Sequence, residues 1–229
     1  MKNKRGYNGV IVVCLLSALF SHTLHSQDLL NRRNDRFPYV PGKIISYSDA
    51  GYKGTVYINE EVLPAKLGTK SKVDFLRYNA YLDRMEIKKK GEMHYLGDFL
   101  DTPVHFTGTG KTYQYLRFKD KNEVKNGYFV LVHRGTNVSL WLKERIILAP
   151  EVKQRTSFDT YKPPTFKRLK DQFYLVAAAN PAQPIPSRKK QWVRFFSKFD
   201  KDIETFIKQN TMDVGNREDL IRIVQYIDQ

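Results

Sequence analysis

The hydrophobic period changes once along this chain, and that change dictates a fold class. Over residues 43–149 apolar residues alternate with polar ones or form short runs between turns, whereas over 188–229 they recur at helical spacing. Segments 43–48, 55–59, 73–78, 81–88, 93–97, 104–107, 112–119, 128–134 and 138–148 are rich in Val, Ile, Thr, Tyr and Phe. Those residues suit a pleated, half-buried surface. Val104 and Phe106 alternate with His105 and Thr107, and Leu116 and Phe118 with Arg117 and Lys119. Lys90-Gly91, 108–110, Asn126-Gly127 and 135–137 fall between strands as tight turns. This spacing predicts an antiparallel β-meander, and alternation leaves barrel and sandwich closures both open.

A further strand is expected within 166–178, followed by a proline-rich connector at 180–187, NPAQPIPS. Trp192, Phe195, Phe196 and Phe199 then stand at i, i+3, i+4 and i+7, one face of a helix. Ile203, Phe206 and Ile207 continue the pattern behind Asp200, an expected cap. Asn216 is expected to cap a third helix striped by Leu220, Ile223, Val224 and Ile227. The class is therefore α+β, with strands first and a small helical segment last. The expected plan is a signal peptide at 1–26, a flexible lead-in at 27–42, a β-rich domain at 43–179, the connector at 180–187 and C-terminal helices at 188–229.

The first 26 residues have the zones of an export signal. Lys2, Lys4 and Arg5 precede an apolar run at 9–20, and SHTLHS follows before Gln27. The run is shorter than the roughly 20 residues a spanning helix needs and matches a signal h-region. Cleavage is expected after Ser26. Cys14 lies inside the apolar run rather than behind it, which argues against a lipid anchor. It is the sole cysteine, so the mature chain is expected to have none, which excludes disulfides, thiol catalysis and cysteine metal sites. No second run reaches spanning length, so no transmembrane span is expected after cleavage. The expected location is exported: periplasmic, outer-membrane-associated or extracellular.

Residues 54–60 read GTVYINE, 77–83 read RYNAYLD, and a Lys-rich tail runs over 189–228. With the wider LRYNAYLDRMEI this resembles a family of small uncharacterised secreted or periplasmic proteins common in Bacteroidota. That family pairs a Gly-x-x-Tyr-x-Asn-Glu strand with an Arg-Tyr-Asn-x-Tyr-x-Asp strand ahead of a Lys-rich helical tail. The resemblance covers the chain from about residue 54 onward. It implies an envelope or secreted location and assigns no chemistry.

Motifs for catalysis are weak. GTGKT at 108–112 lacks the first glycine of a P-loop, since position 105 is histidine, and YQYLRF behind it reads as strand rather than helix. A hairpin turn is the expectation. His94, His105 and His133 lie singly in strand segments, without the spacing of a zinc site. No Gly-x-Ser-x-Gly elbow is present. Glu60, Glu61, Asp83, Glu86 and Asp98 could supply paired carboxylates for a hydrolase, but their spacing says nothing about convergence, and turns and strand edges explain them equally well. No catalytic residue, metal ligand or cofactor is assigned.

Two clusters are candidates for contact. Arg77, Asn79, Tyr81 and Asp83 form a polar-aromatic patch suited to sugar or peptide, or else a structural corner. The second is basic. The formal net charge is +15, and residues 152–199 hold eleven Lys and Arg against Asp159 and Asp171. Lys167, Arg168 and Lys170 flank the strand at 166–178. Arg188, Lys189, Lys190, Arg194 and Lys198 fall largely opposite the aromatic stripe. Such a face suits an anionic envelope lipid or polymer, or serves as a solvated helix face. An envelope protein is the other expected partner, and export disfavours nucleic acid. The reading is a non-enzymatic envelope protein acting by contact, with a hydrolase of envelope or extracellular polymer as the alternative.

Overall fold

Period-two segments become strands and period-3.6 segments become helices in the computed structural model. It describes residues 39–40, 51–98, 102–154, 160–200, 202–213 and 215–229. The expected signal segment, the strand at 43–48 and the lead-in apart from Tyr39–Val40 lie outside the described residues. Among the described residues the strands are β1 (Tyr39–Val40), β2 (Leu63–Leu67), β3 (Val73–Asn79), β4 (Arg84–Lys89) and β5 (Glu92–Leu96). Next come β6 (Val104–Phe106), β7 (Thr112–Asp120), β8 (Glu123–Arg134), β9 (Val138–Lys143), β10 (Ile146–Ala149), β11 (Thr165–Arg168), β12 (Gln172–Ala177) and β13 (Gln183–Pro184). Three helices end the chain: α1 (Lys189–Phe196), α2 (Ile203–Gln209) and α3 (Arg217–Ile227).

Eleven strands form one antiparallel sheet in the order β1-β5-β4-β3-β2-β6-β7-β8-β9-β12-β13, and β10 pairs separately with β11. Among the described residues the sheet curls into a half-barrel, and Ala182, just before β13, bridges in parallel to Phe118 of β7, which brings that end of the sheet back onto β7. The α+β class is as the period change indicates.

Several local expectations are corrected. Asn126-Gly127 lies inside β8, and the chain turns instead at Lys121-Asn122, where Lys121 takes a left-handed φ of 55°. Gly127 is needed in the strand because an added Cβ would fall on the Asp83 carboxylate and the Lys143 ammonium. Residues 55–59 form no strand and make a single bridge, Tyr57 to Asn79. β2 was not anticipated. The expected strand at 138–148 breaks after Lys143, and 166–178 divides into β11 and β12 in different sheets. The connector at 180–187 is not a free linker: Gln183–Pro184 is the edge strand β13, and Ala182 is fully buried beside Phe118. Pro184 is tolerated there because an edge leaves one side of the strand without ladder bonds. In α2 the capping position is Asp202, whose backbone N–H donates to the Asp200 carboxylate at 2.7 Å.

β9 sends alternate side chains to two cores. Val138 and Leu140 meet Leu175 of β12 and the helical residues Trp192, Phe196, Ile203, Ile207 and Ile223. Trp141 joins Phe118, Phe129 and Tyr174, whose rings pack edge to face at 4.9–6.0 Å. Each such fully buried side chain contributes about 1.5–3 kcal/mol. Trp192 also needs a partner for its indole N–H and finds the Pro186 carbonyl at 2.7 Å. Asn216 caps α3, accepting from the backbone N–H groups of Glu218 and Asp219.

One residue from the end, Asp228 fastens the helices to the sheet. Its carboxylate accepts from the backbone N–H groups of Thr136, Asn137 and Val138 at 2.5–2.6 Å, and Gly135 leaves the room for it. Those backbone bonds hold its carboxyl below the usual carboxylate value. Stability from this contact is thus complete above about pH 3.9, the unfolded value, and is lost as pH falls through the depressed folded value. Asp228→Asn should lower the Tm at neutral pH. The gap to wild type should narrow as a Tm series is carried down past that range, because protonation removes the same charge.

Candidate functional site

Charged residues enter the interior at three linked clusters. The first begins on β3 and β4, where Arg77 and Glu86 are cross-strand partners. Arg77 and Asn79 share one strand face by alternation. Glu86 is fully buried and accepts from Arg77 Nε at 2.8 Å, Asn79 Nδ2 at 3.1 Å and the Tyr57 hydroxyl at 3.2 Å. The Tyr57 ring lies 3.8 Å from the Arg77 guanidinium, adding a cation–π contact.

The second cluster lies across the curl. Asp83 sits in the β3–β4 turn with a left-handed φ of 55°, a conformation aspartate tolerates. It accepts from the Tyr78 hydroxyl at 2.6 Å, the Tyr128 backbone N–H at 3.1 Å and Lys143 Nζ at 2.5 Å. Lys143 also donates to the Tyr128 carbonyl at 2.9 Å and lies 4.6 Å from the Phe129 ring centroid. Burial pulls its ammonium below the usual lysine range, against the opposing effect of Asp83.

The third cluster centres on Glu144, which is 1% exposed. One oxygen accepts from Lys111 Nζ at 2.7 Å and Arg168 Nη2 at 2.9 Å, the other from the Tyr113 hydroxyl at 2.5 Å. Arg168 extends to Asp171 at 3.0 Å. Burial first, and the adjoining carboxylates second, push the hydroxyls of Tyr57, Tyr78 and Tyr113 above the usual tyrosine range, so they act as neutral donors. The rings of Tyr78 and Tyr113, 5.0 Å apart, connect the second cluster to the third.

A cleft of about 170 Å³ lies between the first cluster and the third. Arg77, Lys111 and Arg168 line it together with Tyr78, Phe106 and Tyr113, and Glu61 is the sole acid among its lining residues.

The structure separates the residues of the expected polar-aromatic patch. Arg77 and Asn79 serve Glu86, Asp83 serves Lys143, and Tyr81 packs edge to face on Phe166 at 5.0 Å. The basic residues divide likewise. Arg168 belongs to the Glu144 cluster, while Lys167 and Lys170 are exposed. Arg188, Lys189, Lys190, Arg194 and Lys198 are all exposed on or beside α1, and none forms an ion pair within the described residues. Residues 108–110 make the turn between β6 and β7, with Gly110 at a φ of 68°, and Lys111 reaches Glu144. His105 Nδ1 meets the Thr112 hydroxyl at 2.9 Å. Among the described residues no three His, Cys, Asp or Glu side chains cluster as metal ligands, and no helix is long and apolar enough to cross a membrane.

Lys111, Tyr113, Lys143 and Glu144 escaped the sequence reading. Lys143-Glu144 interrupts the apolar run VSLWLKERIILA, and that interruption was the available signal. Comparisons with protein-family models, curated proteins and solved structures found no match to this chain.

Removing one member of a buried pair strands the other. Lys143 has a side chain only 4% exposed, whereas that of Asp83 is 28% exposed. Asp83→Asn should therefore cost about 3 kcal/mol, and Lys143→Met, which leaves a partly hydrated and still hydrogen-bonded carboxylate, nearer 1 kcal/mol. Urea denaturation of both variants checks the order.

Proposed function

We propose that this chain is an exported, non-enzymatic protein of the cell envelope that acts by contact, setting the outer face of α1 against an anionic lipid surface. The observation that carries the reading is the asymmetry of that helix. Trp192, Phe195 and Phe196 are buried against the sheet, and Arg188, Lys189, Lys190, Arg194 and Lys198 face solvent without acidic partners among the described residues. With its apolar face already docked, α1 has none left to insert into acyl chains, as an interfacial helix does. The contact is electrostatic and lies at headgroup level, where each Lys or Arg contributes about 1 kcal/mol. Export rests on the signal-like N-terminal sequence.

The bonding of the two fully buried glutamates gives them structural work and no sign of a hydrolytic pair. Glu86 and Glu144 each accept from three protein donors. A glycoside hydrolase needs two carboxylates flanking the same scissile bond.

The test is co-sedimentation of the protein with anionic and neutral vesicles across a salt series, beside a variant carrying Lys189→Glu, Lys190→Glu and Arg194→Glu. Binding to anionic vesicles alone is expected. It should weaken steeply as salt shortens the screening length toward ~8 Å and be lost in the variant. Equal behaviour of the two proteins overturns the reading, and capture of an envelope protein without vesicle binding moves the contact to that partner.

A further inference from the structure

We infer that the cleft between β3, the β6–β7 turn and β11 is a binding site for a small organic oxyanion, a carboxylate or phosphate ester on a body no larger than one sugar ring. This does not depend on the membrane contact of α1, which lies on a different element.

Arg77 gives Nε to Glu86 and Nη1 to the Glu60 carbonyl, and its Nη2 makes no hydrogen bond within the described residues. Arg168 places all its bonds through Nη2, so Nε and Nη1 remain unused. Lys111 donates once, to Glu144, which leaves two ammonium protons. Lys111 and Arg168 bond the same Glu144 oxygen, so their charged ends are held within two hydrogen-bond lengths of each other. Arg77 is clamped between Glu86 and the Tyr57 ring. The donors lining the cleft are therefore pre-positioned, and binding does not have to order them.

Arginine donors match planar or tetrahedral oxyanions, which can take two parallel N–H bonds. Because Glu86 and Glu144 offset the cations from behind, attraction comes from directed donors at short range rather than from a long-range field. At about 170 Å³ the cleft is smaller than the ~300–1,000 Å³ of sites for drug-sized ligands. Its apolar lining, Ile58, Leu63 and Phe106, suits the carbon face of such a ring. The one lining acid, Glu61, is exposed and opposes the ligand.

That opposition supplies a reciprocal test. Lys111→Met removes one cleft donor and leaves Glu144 its bonds to Arg168 and Tyr113. Glu61→Gln removes the repulsive charge at a surface position. Calorimetric titration of the full protein with glucuronate, glucose 6-phosphate and glucose should show the two acids binding with a Kd on the order of 1 mM or tighter and glucose not binding. Preference for one acid assigns the ligand as carboxylate or phosphate. Lys111→Met should weaken binding about tenfold, the scale of one charge-assisted hydrogen bond, and Glu61→Gln should strengthen it roughly threefold. Equal affinity for glucose, no binding of either acid at low millimolar concentration, or indifference to both substitutions overturns the assignment.

Discussion

The half-barrel depends on two consecutive charged residues at the end of β9. Lys143 goes to Asp83 and Glu144 goes to Lys111, Tyr113 and Arg168, so one dipeptide joins the β3–β4 turn, the start of β7 and β11. In the sheet order β2, β6 and β7 separate β3 from β8 and β9. No ladder hydrogen bond links those strands directly. The Asp83–Lys143 bond does, together with the Ile146 backbone N–H donating to the Ala80 carbonyl at 3.2 Å. The β13 end of the sheet returns to β7 through the Ala182–Phe118 bridge, but between β3 and β9 no strand pair among the described residues fixes the curvature. Here that task falls to ion pairs and to the tyrosine rings beside them.

Burying charge is costly, and replacing a buried pair by apolar groups is often neutral or stabilising. What the pairs supply is direction. Lys143 meets one turn at one glycine, Gly127, and a strand slipped by one residue would turn that contact to the opposite face. The same arrangement shapes both candidate surfaces. Glu86 and Glu144 hold cations at the cleft, whereas the cations of α1 are left to solvent because that helix docks through apolar groups, chiefly Trp192, Phe195 and Phe196.

Much of the fold was legible because burial follows period. The alternation Val104/His105/Phe106 became β6 with the middle residue exposed, and the Trp192–Phe196 stripe became the buried face of α1. Asn216 was readable as a cap since its chemistry is local. What failed was non-local. Asn126-Gly127 carries a turn signature, but its glycine answers to Asp83 and Lys143, residues far away in sequence. Arg77 and Asn79 were readable as sharing a face. That Glu86 would meet them depended on the β3–β4 register, and that Tyr57 would cover them depended on a segment that forms no strand. The Glu144 cluster draws on partners 24 to 33 residues distant, and no periodicity encodes such a meeting.

The claim that an interior ion pair fixes the curl is tested most directly by a double-mutant cycle on Asp83→Asn and Lys143→Met, read by equilibrium denaturation. Groups in direct contact couple by about 0.5–3 kcal/mol, whereas separate sites add within roughly 0.3–0.5 kcal/mol. The account predicts a coupling of about 2 kcal/mol, with the double variant more stable than the sum of the single losses. Simple additivity would mean that the two residues do not depend on one another, and the curl would then have to be held by the Glu144 cluster, the Ile146–Ala80 bond and the tyrosines.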